Sequence, residues 1–131
     1  MIKLFIGGKG SGKTKALIEL VNNAANTSSG SVVCIEKGNK LKLDITYKAR
    51  LIDSDNFAIT SADALYGFIS GILASNNDIT DIYVDGVLKI CDVDGFVAIL
   101  PKLEKVAKDI NLALTASIPV EECPEEIKKY A

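Results

Sequence analysis

The stretch Gly7-Gly8-Lys9-Gly10-Ser11-Gly12-Lys13-Thr14 carries four glycines and ends in Lys-Thr. Glycine accepts backbone angles with φ > 0, so such a loop can turn its N–H groups inward as a cradle for anionic oxygens. The spacing Gly-x-x-x-x-Gly-Lys-Thr, with a strand before it and a helix after, is that of a phosphate-binding loop. In that setting Lys13 brings positive charge to the β- and γ-phosphates of a nucleoside triphosphate, and the Thr14 hydroxyl faces Mg²⁺. The N-terminal end of the following helix adds its own partial positive charge. Gly7, Gly8, Lys9, Gly10, Ser11, Gly12, Lys13 and Thr14 are therefore the expected nucleotide-binding residues, and Lys13 is also expected to act in catalysis.

Asp85 closes the apolar run ITDIYVD, residues 79–85. A carboxylate at that end of a strand is placed to meet the Mg²⁺ shell, usually through water, so Thr14 and Asp85 are the expected metal residues. Gly86 follows, and no acidic side chain comes directly after Asp85 to polarise an attacking water. The chain has no histidine, which removes the usual zinc ligand and the usual general base. A base must then be another carboxylate. Glu36 is the candidate, at the C-terminal edge of the second strand, where ligands of open parallel sheets collect. A plain ion pair with a nearby lysine suits its position equally well. Asp92 or Asp94 is expected to cap the next helix. Thr115 and Ser117, near the end of the last strand, either sense the γ-phosphate or are half-buried strand hydroxyls. Arg50 is the only arginine, so an arginine finger is available only from that residue.

The elements that must position these groups follow from periodicity. Ile2–Ile6 and Val32–Glu36 are short apolar runs that predict buried strands. Residues 14–25 follow a helical period through Ala16, Leu17, Leu20, Val21 and Ala24, and the turn formers of Asn26–Gly30 end it. Residues 41–53 alternate apolar and polar, which predicts a half-exposed strand or a hairpin. Residues 61–75 return to helical period, with Thr60 and Asp63 as a capping box. Gly67 and Gly71, four apart on that helix, predict close packing against the sheet. Ile79–Asp85 and Leu112–Ile118 are further strands. Residues 94–109 form a helix that Pro101 should kink or split. A short terminal helix is expected after Pro124. Strands alternating with helices predict an α/β fold, a three-layer α/β/α sandwich around a mostly parallel sheet.

At 131 residues, 48% hydrophobic and 24% charged, the chain fits one domain over residues 1–131. No apolar run is long enough to span a membrane, and the N-terminus does not read as a signal peptide. Cys34, Cys91 and Cys123 lie far apart without metal-ligand spacing, as expected of reduced thiols in a cytoplasmic protein. The net charge of −2 is uneven: residues 1–60 carry nine basic against five acidic residues, and residues 61–131 six against twelve. Beyond the loop lysines, the basic excess is Lys37, Lys40, Lys42, Lys48 and Arg50. In an acidic protein that cluster reads as a solvated hairpin rather than a nucleic-acid surface.

GGKGSGKT, then VVCIEKG, then IYVDG, then LALTASIP resemble the P-loop NTPase superfamily over nearly the whole chain. The layout is similar to the RecA-like and type II thymidine kinase branch, and closest to short bacterial ATP-binding P-loop proteins of uncharacterised function. The resemblance implies a minimal P-loop NTPase core. In RecA-like proteins a Glu closing the second strand acts as catalytic base, and Glu36 matches that place. Thymidine kinases carry Asp-Glu where this chain has Asp85-Gly86. The implied activity is Mg²⁺-dependent binding of ATP or GTP with slow hydrolysis, with an unidentified protein partner. The absence of an Asn-Lys-x-Asp guanine motif tilts the base toward adenine. The alternatives are a small-molecule or nucleoside kinase, or a non-catalytic nucleotide-binding assembly module.

Overall fold

A computed structural model describes residues 1–131. Five strands form one sheet in the order β1-β5-β4-β2-β3: β1 is Ile2–Gly7, β2 Ser31–Glu36, β3 Arg50–Asp53, β4 Ile79–Asp85 and β5 Asn111–Ser117. Every pairing is parallel. Parallel neighbours need crossover connections, and these supply α1 (Lys13–Thr27), α2 (Ala62–Ser75) and α3 (Val93–Val106); the short α4 (Glu125–Lys128) follows the last strand. The central strands are apolar on both sides because both sheet faces are covered.

One face packs against α1. There Leu17 and Val21 meet Val32, Cys34, Tyr83 and Ala113 of the sheet. The other face carries the larger core: Ile35, Ile82, Val84 and Leu114 against Leu65 and Ile69 of α2 and Phe96, Ile99 and Leu103 of α3. The three-layer α/β/α arrangement expected from the alternation is therefore present. Within the α1 layer, the buried Asp81 carboxylate accepts from Tyr83 Oη at 2.9 Å and Asn111 Nδ2 at 3.3 Å, so its polarity is satisfied.

The alternating segment is not the strand or hairpin expected over residues 41–53. Only Arg50–Asp53 pairs with the sheet; residues 39–49 form successive turns, with Asp44 N and Ile45 N donating to Leu41 O. Leu41, Ile45 and Ala49 are buried with α1, while Leu43 and Tyr47 are 96% and 91% exposed. The core takes every fourth residue, not every second. Asn22 of α1 fixes this path, donating from Nδ2 to Asp44 O and accepting from Thr46 N on Oδ1, both at 2.8 Å.

Helix α3 runs unbroken through Pro101, which is exposed, because Phe96, Ile99, Leu100 and Leu103 anchor it on both sides of the proline. Asp92 caps it, accepting from Gly95 N at 2.7 Å. The capping residue of α2 is Ser61, accepting from Ala64 N at 3.1 Å, not Thr60. Gly67 and Gly71 are exposed, and a Cβ at either would meet nothing within 4 Å, so they do not mark close packing on the sheet.

Candidate functional site

The loop between β1 and α1 sits at the C-terminal edge of the sheet. Gly10 and Gly12 adopt φ of 80° and 86°, and a Cβ at either would point into open space. Backbone angle, not crowding, is what calls for glycine there. Gly12 leads directly into α1, so the first N–H groups of that helix open toward the loop. Gly7 is anchored to the sheet by donating its N–H to Ile118 O at 3.0 Å. Ser11 N donates to Gly8 O at 3.3 Å. Lys13 Nζ donates to Gly8 O at 2.8 Å and to Ser11 Oγ at 3.2 Å, which folds its ammonium over the loop.

Thr14, on the first turn of α1, donates from its hydroxyl to Asp85 Oδ1 at 3.1 Å, across 71 residues of sequence. Thr115 of β5 donates to the same Oδ1 at 2.8 Å and accepts from Gly86 N at 2.7 Å. The Thr115 hydroxyl is thus fully engaged in holding Asp85, the strand-hydroxyl role of the two weighed for it. Ser117 is exposed and faces the cavity over the loop. That cavity is about 620 Å³ and bounded by the loop, Thr14 and the lysines 9, 13, 15, 40 and 89, with no apolar or acidic side chain in its wall. A volume of this order suits a small-molecule ligand, and the wall chemistry suits an anion.

Glu36 ends β2 in register with Asp85 on one side and Asp53 on the other. It does not line the cavity. The residue is 3% exposed, and its carboxylate accepts from Leu41 N at 2.9 Å. Burial pushes its carboxyl above the ordinary range, Leu41 N–H pulls it back, and the Asp85 charge pushes it up again. The lysine pair weighed for Glu36 is not formed; Lys37 pairs instead with Asp55 at 2.8 Å.

Thr14 and Asp85 offer hard oxygen donors suited to Mg²⁺. No group of three or more His, Cys, Asp or Glu side chains forms a metal cage, so a cation there would draw its other donors from phosphate oxygens and water, as Mg²⁺ commonly does. Two residues of the cavity escaped the sequence. Lys40 read as part of a solvated hairpin, and Lys89 carried no motif at all; neither periodicity nor spacing marks a side chain brought in by a turn.

A parallel sheet with helices on both faces and a glycine loop joining its first strand and helix defines a P-loop-like α/β sandwich. No family model and no curated protein matches the chain significantly. Among solved structures, PCH-2 of C. elegans matches with a TM-score of 0.57 and 14% identity, over 99% of this chain and 33% of that one. The likeness is one of fold, and the chain spans a third of that protein's length. No helix is long and apolar enough to cross a membrane.

Proposed function

We propose that the chain binds a nucleoside triphosphate, ATP ahead of GTP, together with Mg²⁺, and hydrolyses it slowly. The observation that carries this reading is the Thr14–Asp85 contact of 3.1 Å at the foot of a lysine-walled cavity. The loop backbone and Lys13 would hold the phosphates, and Thr14 and Asp85 would hold the cation. Bound there, Mg²⁺ supplies neutralisation of the charge on the phosphate oxygens. Thr115 fixes the orientation of Asp85 by its hydrogen bond. Glu36, one strand from Asp85 and with its basicity raised by burial, would be the carboxylate that accepts a proton from water.

The test is calorimetric titration with Mg²⁺-ATP and assay of phosphate release on the same preparation. Lys13→Ala is expected to weaken binding by roughly 10- to 150-fold, the value of one charge-assisted hydrogen bond. Glu36→Gln is expected to bind as wild type does while releasing no phosphate. Unchanged affinity in Lys13→Ala would remove the reading. Its second form, a non-catalytic nucleotide-binding module, is favoured by the burial of Glu36 under Leu41 N–H and by its place outside the cavity wall. Wild-type binding with no turnover would select that form.

A further inference from the structure

Five lysines, Lys9, Lys13, Lys15, Lys40 and Lys89, wall the cavity above the glycine loop. None has a carboxylate partner; the chain's ion pairs are Lys37–Asp55 and Lys128–Glu125. Three of the five come from the loop and the start of α1. The other two arrive separately: Lys40 on the turns after β2 and Lys89 at the end of the single 3₁₀ turn Val87–Lys89 after β4.

We infer that Lys40 and Lys89 form a clamp in cis on the terminal phosphate of the bound nucleotide, so that the site selects triphosphate over diphosphate. This rests on the nucleotide reading above and adds to it the residues that recognise the last phosphate. The placement of the two side chains argues for that end of the ligand. Lys89 lies four residues beyond Asp85, whose Oδ1 accepts from the Thr14 hydroxyl, and is within reach of the Asp85 charge. Lys40 directly precedes Leu41, whose N–H binds the Glu36 carboxylate. Both lysines therefore enter the cavity on the turns that follow the strands ending in Glu36 and Asp85, while Lys13 folds back over Gly8.

The cost of this arrangement points the same way. The neighbouring Lys40 pushes the Lys89 ammonium below the ordinary lysine range, partial desolvation adds to this, and the Asp85 charge acts the other way. Two ammonium groups facing one cavity repel each other, and an anion bound between them relieves that repulsion. Gly86 leaves room for this approach: it adopts φ of 71°, and a Cβ there would crowd Lys89 Cδ at 3.3 Å. The Lys89 stem passes over the bare Gly86 backbone. Arg50 does not line the cavity, so lysines are the cations available to the last phosphate. As compact point charges they suit phosphate without needing bidentate geometry.

The experiment is titration of wild type, Lys40→Met, Lys89→Met and the double variant with Mg²⁺-AMP-PNP and with Mg²⁺-ADP, using Lys102→Met on α3 as the charge control. Both target lysines are exposed, so the variants are expected to fold, checked by their melting curves. Each single change should weaken AMP-PNP binding by roughly 10-fold or more and leave ADP within about twofold. The double variant should lose most of the preference for triphosphate, and Lys89→Arg should keep it. Wild type that binds neither nucleotide overturns the nucleotide reading and the clamp with it. Wild type that binds both, with variants that weaken both equally or neither, overturns the clamp alone.

Discussion

Glu36 is a carboxylate whose surroundings oppose its charge. It ends β2 between Asp53 and Asp85 in register, is 3% exposed, and is stabilised as an anion by Leu41 N–H. Because its folded pKa is raised, the folded state holds the proton to higher pH than the unfolded chain does. Stability then falls as pH rises through the window from the ordinary glutamate value of about 4.3 to the raised one, and the loss is complete above it. Glu36→Gln removes the titration and keeps an oxygen for Leu41 N–H. Its urea midpoint is expected to exceed that of wild type at neutral pH, and the gap to close below about pH 4. A gap of the same size at both pH values, or of opposite sign at neutral pH, would mean that the backbone donors around Glu36 outweigh its burial.

At the scale of elements, α2 and the turns over residues 39–49 are where local pattern and outcome part. Helix α2 carries Gly67 and Gly71 on its exposed side, with no neighbour within 4 Å of the Cβ either would gain. Glycine costs about 1 kcal/mol relative to alanine inside a helix. Gly67→Ala and Gly71→Ala are each expected to stabilise by about 0.5–1 kcal/mol, additively, in denaturant titration. A destabilised variant would place an unseen contact on that face. The segment after β2 alternates like a strand, yet an edge strand there would leave Asn22 and the apolar face of α1 uncovered. Turns that bury Leu41, Ile45 and Ala49 satisfy both, and they carry Lys40 to the cavity.

Across the whole molecule, the two core layers enclose all three cysteines. Burial raises the Cys34 thiol to about 12, with Asp85 and Glu36 adding to it, and the Cys91 thiol to about 11; burial also pushes Cys123 up. The reactive species is the thiolate, so native protein at neutral pH is expected to leave all three untouched by Ellman's reagent. The unfolded chain should react at all three. Fast labelling of one cysteine in native protein would reveal local opening of its layer, and Cys123, beside the short α4, is the place to look first.

The glycine loop, its strand and helix, the strand ending in Asp85 and the alternation of strands with helices were all legible in the sequence. Each depends on interactions between residues close in the chain: backbone angle, apolar period and the order of elements. Glu36 could be placed at a strand end, but not its burial or its bond to Leu41. The Thr14–Asp85–Thr115 chain of hydrogen bonds joins three elements across the sheet, and strand order decided it. Lys40 and Lys89 reach the cavity on turns whose paths are set by Asn22 and Gly86, contacts that no periodicity encodes. Local geometry thus determined where the glycine loop would form, and only tertiary packing decided which distant charges gather around it.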